Sequence, residues 1–313
     1  MRNFFFYPIA HDIIDNISPV SIDTQQQVTK STQTDYKCKS YSLIYNIPFF
    51  NTLFYPNAIQ SYKIIFYYQT FSSLDPIIKL KKKINSNIYV YISSFHFGKK
   101  DNELYIKLNN NSIDEQGTLW DDAIKAYKNN INIMIMLDGI YSSLFSKFDA
   151  YYNLLYEFLN DKRYITGIDI DIHEIVRLDD IKLLITRLKK DFGNNFIITM
   201  SPSASSMIYD MPGIGNFIYK DLYNSDEGKY INWYNVQSYD EYTFDIYDSI
   251  IKNGYTPDKI GFGLLGNNFN SNSMITASNE LSKIKLKYPN ITGCTLWEYG
   301  ETNINPIEWA IQI

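Results

Sequence analysis

The stretch from Thr166 to Glu174 reads Thr-Gly-Ile-Asp-Ile-Asp-Ile-His-Glu, with polar side chains at every second position of an otherwise apolar run. In a β-strand, side chains two residues apart lie on the same face. The alternation therefore predicts a strand that carries Asp169, Asp171 and His173 on one face and three isoleucines on the other. Burying paired carboxylates costs several kcal/mol unless they share a proton or accept hydrogen bonds. The pattern indicates either a functional site or a structural hydrogen-bond network at the end of this strand.

Short apolar runs on both sides of this stretch bring the number of predicted strands to eight. They are Ile64–Thr70, Ile88–Ser94, Ile131–Leu137, Gly167–Ile172, Phe196–Ser201, Trp233–Ser238, Lys259–Gly263 and Gly293–Trp297. Apolar residues at three- and four-residue spacing predict helices between them, as in Ala150–Asn160, Leu178–Phe192 and Met274–Tyr288. This alternation predicts parallel strands. A doubly wound open sheet would also alternate, but eight strands and no Gly-rich phosphate loop after the first strand favour an α/β (β/α)₈ TIM barrel.

Composition and patterning set the domain organisation. Of the 313 residues, 45% are hydrophobic and 16% are aromatic, which is typical of a globular protein and not of a disordered one. Residues Ser18–Ser40 are rich in Ser, Thr, Gln and Asp, a composition typical of linkers. We therefore predict an N-terminal extension and linker over residues 1–60 and the barrel over residues 61–313.

Charge and N-terminal pattern limit the partners and the location. The net charge is −5 and the basic runs are short, which argues against nucleic-acid binding. The apolar start of the chain is broken by Pro8, His11 and Asp12, and no later stretch is long enough to span a bilayer. We expect no cleavable signal peptide, and either a cytoplasmic location or export by a non-classical route, including incorporation into a virus particle.

Cysteine and histidine usage bears on cofactors. The two cysteines, Cys38 and Cys294, are far apart, and the three histidines are scattered along the chain. Such spacing implies neither a disulfide framework nor a metal cluster. We therefore expect no cofactor and no metal.

The strand around Asp169 resembles the motif Asp-Gly-x-Asp-x-Asp-x-Glu of glycoside hydrolase family 18, the family of chitinases and chitinase-like proteins. Gly167, Asp169 and Asp171 are in register with it. Thr166 replaces the first Asp of the motif. His173 stands at the position of the family's general-acid Glu.

Further stretches resemble the first, fifth, sixth and eighth strands of the family, in barrel order. They are Phe66–Tyr68, Leu178–Pro202, Trp233–Tyr239 and Gly293–Tyr299. The resemblance covers about Ser61 to Ile313. The third strand departs from the family, because Met136-Leu-Asp-Gly139 occupies the place of a Ser-x-Gly-Gly signature. Asp138 then either replaces a turn glycine or reaches into the cleft.

The resemblance implies substrate-assisted, retaining hydrolysis of chains of β-1,4-linked N-acetylglucosamine, in which the acetamido oxygen of the sugar is the nucleophile. By this resemblance Asp171 orients the acetamido group and Asp169 shares a proton with Asp171. Tyr239 donates a hydrogen bond to the same group, and Trp297 stacks on the sugar. The other substrate contacts that we predict are Tyr68, Met200, Gln237 and Glu298.

Because His173 replaces the general-acid Glu of the family, the sequence leaves open which group donates a proton to the leaving oxygen. One hypothesis makes His173 the acid, because neighbouring carboxylates raise the pKa of an imidazole. A second gives the role to Glu174, which requires a β-bulge, since an ideal strand turns this residue to the opposite face. In a third, hydrolysis is lost and a glycan-binding cleft remains.

Removal of a general acid typically lowers the rate by about a hundred- to ten-thousandfold. The sequence therefore predicts a chitinase-like protein that binds chitin or another N-acetylglucosamine glycan, with weak or absent hydrolysis. An active chitinase or endo-N-acetylglucosaminidase is the first alternative, and a structural or particle-associated scaffold is the second. The joint presence of Asp169, Asp171, Tyr239 and Trp297 argues against the scaffold.

Overall fold

The computed structural model describes residues 62–109, 111–113, 116–138, 141–268, 271–303 and 305–313. The predicted extension over residues 1–60 lies outside the described residues, as do Cys38, His11 and Gly139, so the predicted domain boundary stays a prediction. No helix in the described part of the chain combines the length and apolar character needed to cross a membrane.

Eight parallel strands close into a barrel, and two short strands extend it. The strands are β1 (Lys63–Tyr68), β2 (Asn87–Lys100), β3 (Glu103–Leu108), β4 (Asn111–Ser112), β5 (Asn132–Asp138), β6 (Ile165–Asp171), β7 (Ile197–Met200), β8 (Trp233–Gln237), β9 (Ile260–Leu265) and β10 (Gly293–Trp297). The spatial order is β1-β10-β9-β8-β7-β6-β5-β2, and β1 also pairs with β2, which closes the ring. The predicted (β/α)₈ barrel is confirmed.

The helices lie between the strands along the chain, except the last one, which follows β10. They are α1 (Asp75–Lys81), α2 (Leu119–Lys128), α3 (Tyr141–Ser146), α4 (Phe148–Asp161), α5 (Leu178–Phe192), α6 (Ala204–Ile208), α7 (Tyr219–Tyr223), α8 (Phe244–Lys252), α9 (Ser271–Lys287) and α10 (Pro306–Gln312). The three helices predicted from apolar spacing correspond to α4, α5 and α9. In α5, acidic residues occupy the first turn and lysines the last, which complements the helix dipole.

The second strand is longer than the sequence pattern predicted. Instead of ending at Ser94, β2 continues to Lys100 and pairs antiparallel with β3. The turn between them is Asp101-Asn102, with φ angles of 48° and 69°. Positive φ at both central residues is typical of the tight hairpin turn that matches strand twist, and Asp and Asn tolerate it. The result is a β-hairpin at the C-terminal end of the barrel.

Side chains of the strands divide into an inner and an outer layer. The inner layer contains a buried apolar cluster made of Ile65, Tyr67, Tyr89, Tyr91, Met134, Met136 and Trp233. The alternate residues, such as the isoleucines of β6, belong to the larger cluster that also includes the apolar faces of the helices. Each fully buried isoleucine or leucine of that layer stabilises the fold by about 1.5–3 kcal/mol. The period-two pattern of β6 therefore directs its carboxylates into the barrel.

Gly293 is required where the barrel closes between β1 and β10. It has φ of +155°, and an added Cβ would lie 2.0 Å from the carbonyl oxygen of its partner Lys63. We expect Gly293→Ala to lower the free energy of unfolding by about 3 kcal/mol, through backbone strain and displacement of β1. Urea denaturation measures this loss. Gly117→Ala is the control, since its φ of +57° meets open space and we expect a loss of about 1 kcal/mol. Equal losses would contradict the closure argument.

Candidate functional site

The C-terminal end of β6 carries two carboxylates inside the barrel. Asp169 is fully buried, and the side chain of Asp171 is 4% exposed. Active sites of (β/α)₈ barrels lie at this end of the strands. Carboxylates with so little solvent need hydrogen-bond donors or positive charges from neighbouring strands.

Asp169 receives four hydrogen bonds from neutral donors. Tyr67 and Ser201 donate their hydroxyl groups to Oδ2 at 2.9 and 2.7 Å. Thr199 and Asn235 donate to Oδ1 at 2.5 and 3.2 Å. Burial raises the pKa of Asp169, and these hydrogen bonds oppose that rise. The surrounding strands thus replace much of the water that this carboxylate has lost.

Asp171 lies nearer the mouth of the barrel and has different partners. Gln237 donates Nε2 to Oδ1 at 3.1 Å and to the main-chain oxygen of Ser201 at 2.9 Å. The Nε2 atom of His173 lies 3.4 Å from the same Oδ1. Its Nδ1 atom lies 3.0 Å from Oδ1 of Asp138, the last residue of β5. The imidazole therefore bridges two carboxylates through its two nitrogens.

This cluster keeps protons at neutral pH. Burial raises the pKa of Asp171 to about 8, although the positive charge of His173 opposes the rise. Burial by itself disfavours the charged imidazole, but the hydrogen bond to Asp138 and the charges of Asp171 and Asp138 outweigh it and raise the pKa of His173 to about 9. The His173 side chain is 43% exposed, so water screens part of this field. Both shifts hold protons that the isolated groups would lose below pH 7.

Glu174 has a different environment from its neighbour. Its Oε1 atom accepts a hydrogen bond at 3.0 Å from the main-chain N–H of Ser142, in the first turn of α3. A carboxylate at a helix N-terminus is stabilised by the free N–H groups and the helix dipole. The structure therefore directs this side chain to α3, whereas His173 points to Asp171.

Tyr239 and Trp297 lie with the carboxylates at the C-terminal end. Burial, together with the negative charges of Asp171 and Asp169, raises the pKa of Tyr239 well above its usual value, so its hydroxyl keeps its proton. Trp297 ends β10 and packs against the inner apolar cluster. Its ring centroid is 5.2 Å from that of Tyr67. The structure thus brings together Asp169, Asp171, His173, Gln237, Tyr239 and Trp297.

Glu298 has its carboxylate occupied by main-chain and hydroxyl donors. Thr70 donates its hydroxyl to Oε1 at 2.7 Å, and the N–H groups of Gln69 and Glu301 donate at 2.9 and 2.6 Å. The residue is 4% exposed. Its position links the ends of β1 and β10. That Glu298 contacts a glycan stays a prediction.

Two predicted contacts lie in the outer layer. Tyr68 packs against Phe71 and Tyr299, with ring centroids 5.4 and 5.9 Å apart. Met200 is fully buried in the cluster that includes the helices. The structure does not bring either side chain together with the carboxylates. Their neighbours Tyr67 and Thr199 are the ones that reach Asp169.

Sequence reasoning missed four residues that contact Asp169, namely Tyr67, Thr199, Ser201 and Asn235. It left open whether Asp138 reaches the site, and the structure places this carboxylate against His173. The period-two rule that placed Asp169 and Asp171 inside the barrel would have identified the four, if the facing of each neighbouring strand had been fixed. The similarity to the family motifs identified each strand, but it did not show which of two adjacent residues faces the inside of the barrel.

Asp138, Asp171 and His173 have the right chemistry for a divalent transition metal, and their ligand atoms lie within 4.8 Å of one another. However, a metal would take one imidazole nitrogen, and here each nitrogen already faces a carboxylate oxygen. The imidazole already contacts both carboxyl groups without an ion. The arrangement fits an ion-paired cluster better than a metal site.

Comparison with known proteins adds to this geometry. No protein-family model matches the sequence, and no curated protein matches it. The structure is similar to a fungal endo-β-N-acetylglucosaminidase from glycosyl hydrolase family 18, with 27% identity, a TM-score of 0.69, and coverage of 80% of this chain and 96% of that chain. It is also similar to the chitinase ChiC from Aspergillus fumigatus, with 26% identity, a TM-score of 0.68, and coverage of 80% and 98%. The chain therefore has a (β/α)₈ barrel similar to those of glycoside hydrolase family 18.

A more distant structure shares the fold of this barrel. A family 18 chitinase from Chromobacterium violaceum has 14% identity and a TM-score of 0.55, with coverage of 80% of both chains. At that identity the likeness shows the fold alone.

The raised pKa of Asp171 predicts how stability depends on pH. Its ordinary pKa is 3.8 and its folded pKa is about 8, so between about pH 4 and pH 8 the folded state holds a proton that the unfolded state has lost. Over this range the free energy of unfolding of wild type therefore falls as pH rises, because Asp171 ionises in the unfolded state and not in the folded state. We expect the stability of Asp171→Asn relative to wild type to increase over that range, by at most about 1.4 kcal/mol per pH unit.

Urea denaturation at half-unit pH steps measures this difference. Thr166→Val is a matched control on the same strand, because it removes a hydroxyl that donates to Ile133 and adds no titrating group. The difference in the free energy of unfolding between Thr166→Val and wild type should stay constant with pH. A difference for Asp171→Asn that is also constant would show that the Asp171 carboxyl titrates normally in the fold.

Proposed function

We propose that this family 18 barrel binds glycans of β-1,4-linked N-acetylglucosamine in the cleft above Asp171, and that it hydrolyses them weakly or not at all. The observation that carries the proposal is His173, which holds the general-acid position and is bridged between two carboxylates. The similar solved structures are described as chitinases or as an endo-β-N-acetylglucosaminidase, which supports the class of glycan.

The proposed roles follow the geometry of the site. Asp171 would accept the N–H of the bound acetamido group, and Tyr239 would donate to its oxygen. Trp297 would offer its ring to the apolar face of a sugar. Asp169, held by four donors, would keep Asp171 oriented from below. Hydrolysis needs one further event, the transfer of a proton to the leaving oxygen.

That proton transfer is the weak step. An efficient general acid has a pKa near the working pH, whereas the two neighbouring carboxylates raise the pKa of His173 to about 9. Both N–H groups of the imidazolium face these carboxylates, so donation to a glycan breaks a charge-assisted hydrogen bond. Glu174 is engaged by the N-terminus of α3 and would have to leave it to act as the acid.

One observation favours a second candidate, an active chitinase or endo-N-acetylglucosaminidase in which His173 is the acid. Its side chain is 43% exposed, which leaves it accessible to a glycan, and it carries a proton at neutral pH. A surface-only scaffold has no comparable support. We further expect no nucleic-acid partner, and action in the cytoplasm or after non-classical export.

The binding proposal is tested with chitotriose by titration calorimetry. We expect wild type to bind, and Trp297→Ala to weaken binding by about tenfold because it removes a stacking surface worth about 0.5–1.5 kcal/mol. Trp297→Phe retains an aromatic ring and should retain most of the affinity. If wild type gives no heat of binding, and if chitotriose also leaves its tryptophan fluorescence unchanged, the binding proposal is wrong and the barrel uses only its surface.

The missing acid is tested by fluorophore release from a chitotrioside at pH 4 to 9. We expect little or no release by wild type, and at least a hundredfold gain for His173→Glu, which supplies a carboxylic acid. His173→Gln is the control, since it is neutral and supplies no acid, and it should not gain activity. Clear wild-type release that His173→Gln abolishes would instead make His173 the acid.

A further inference from the structure

Two departures from the family pattern meet in this structure. His173 stands where the family 18 motif has Glu, and Asp138 stands where the third-strand signature has its first glycine. Their side chains lie 3.0 Å apart, from Nδ1 of the imidazole to Oδ1 of the carboxylate. A glycine has no side chain, so at this position Asp138 supplies a partner that the family signature lacks. We propose that Asp138 is a positioning residue for His173 and that the two act as one unit in the cleft.

The register of the barrel explains why Asp138 points inward. On β5, Met134 and Met136 belong to the inner cluster, while the residues between them belong to the outer layer. The same alternation directs Asp138 into the barrel. Asp138 pairs in register with Asp171 on β6, so the two carboxylates flank one position. The imidazole of His173 fills it.

The strand ends around this unit are held together. The hydroxyl of Tyr141, fully buried at the start of α3, lies 3.0 Å from the main-chain oxygens of both Leu137 and Asp171. The Tyr141 side chain thus links the residue before Asp138 to Asp171, which precedes His173 by two residues. The Asp138 side chain is 19% exposed, against 43% for His173. The carboxylate is therefore the better fixed partner of the pair.

The Asp138 contact selects how His173 faces the cleft. With Nδ1 bound to Asp138, Nε2 is the nitrogen that faces Asp171. A carboxylate on one imidazole nitrogen fixes the ring orientation and the state of the other. Loss of Asp138 would free the ring to rotate and would remove the carboxylate whose 3.0 Å contact with Nδ1 favours the imidazolium. The inference rests on the proposed function only for its effect on glycan binding.

Other titratable groups face this unit from the neighbouring elements. Burial by itself raises the pKa of Asp138, but the hydrogen bond and charge of His173, with the charge of His96 on β2, lower it below its usual value. The charge of Asp171 acts on three phenols, which keep their protons at neutral pH because burial raises their pKa values; they are Tyr141, Tyr219 and Tyr239. The Asp138 carboxylate is therefore the negative charge that accompanies His173 near neutral pH.

The pairing is tested by NMR titration of ¹³C-labelled histidine in the full-length chain. The chain has three histidines, and His173→Gln assigns the His173 signal. We expect Asp138→Asn to lower the pKa of His173 by one unit or more and to change that of His96 less. Asp138→Glu keeps the carboxylate and should restore part of the shift. A His173 pKa that is the same in wild type and Asp138→Asn would overturn the proposal.

A second readout connects the unit to glycan binding. We expect Asp138→Asn to change chitotriose affinity at least threefold at pH 7 and to move the pH at which affinity changes. In a His173→Gln background the same substitution should have little effect, because its partner is gone. Equal effects in both backgrounds would show that Asp138 acts independently of His173. If wild type fails to bind chitotriose, the proposed function falls, while the NMR titration still decides the pairing.

Discussion

Desolvation of two carboxylates on a single buried strand sets the requirements for the rest of this site. Asp169 and Asp171 point into the barrel because the isoleucines between them pack against the helices. A buried carboxylate is tolerated only where donors or positive charges replace water. The inner positions of β1, β7 and β8 meet this demand with hydroxyl and amide groups. The polar character of these strands at their C-terminal ends follows from the charge on β6.

The two carboxyl groups have different hydrogen-bond partners. Asp169 has four neutral donors, so its environment is fixed by the barrel itself. Asp171 has one amide donor and the imidazole of His173, whose own charge depends on Asp138. The lower part of the site therefore holds a carboxyl group among neutral donors, whereas in the upper part the titration of each group depends on the others.

The exchange of a carboxylic acid for an imidazole changes the sign of the charge beside Asp171. A family-type Glu in this position would add a third carboxylate to Asp169 and Asp171, and like charges favour its protonated, acidic form. His173 instead forms an ion pair with its neighbours, which favours retention of its proton. Under the proposed function, the site has groups suited to hold an acetamido sugar and lacks a carboxylic acid at the position that would protonate the leaving oxygen.

The barrel could be predicted because its determinants are local. Strand and helix periods are written in the order of residues, so eight strands and the inward face of β6 followed from the pattern around Asp169. The length of β2 did not, because its extension depends on pairing with β3. Facing within β1 and β7 did not follow either: Tyr67 and Thr199 reach Asp169, whereas Tyr68 and Met200, the predicted glycan contacts, belong to the outer layer.

The sequence by itself determined the barrel, its family resemblance and the presence of His173 at the acid position, because each depends on residue type and spacing along one strand. Only the tertiary structure decided what His173 contacts. Asp138 and His173 are 35 positions apart in the chain, and their 3.0 Å contact arises from the register of β5 against β6 and from the barrel's closure. The partner of Glu174, an N–H group of α3, was likewise decided only there, since contacts between elements are set by packing and not by sequence period.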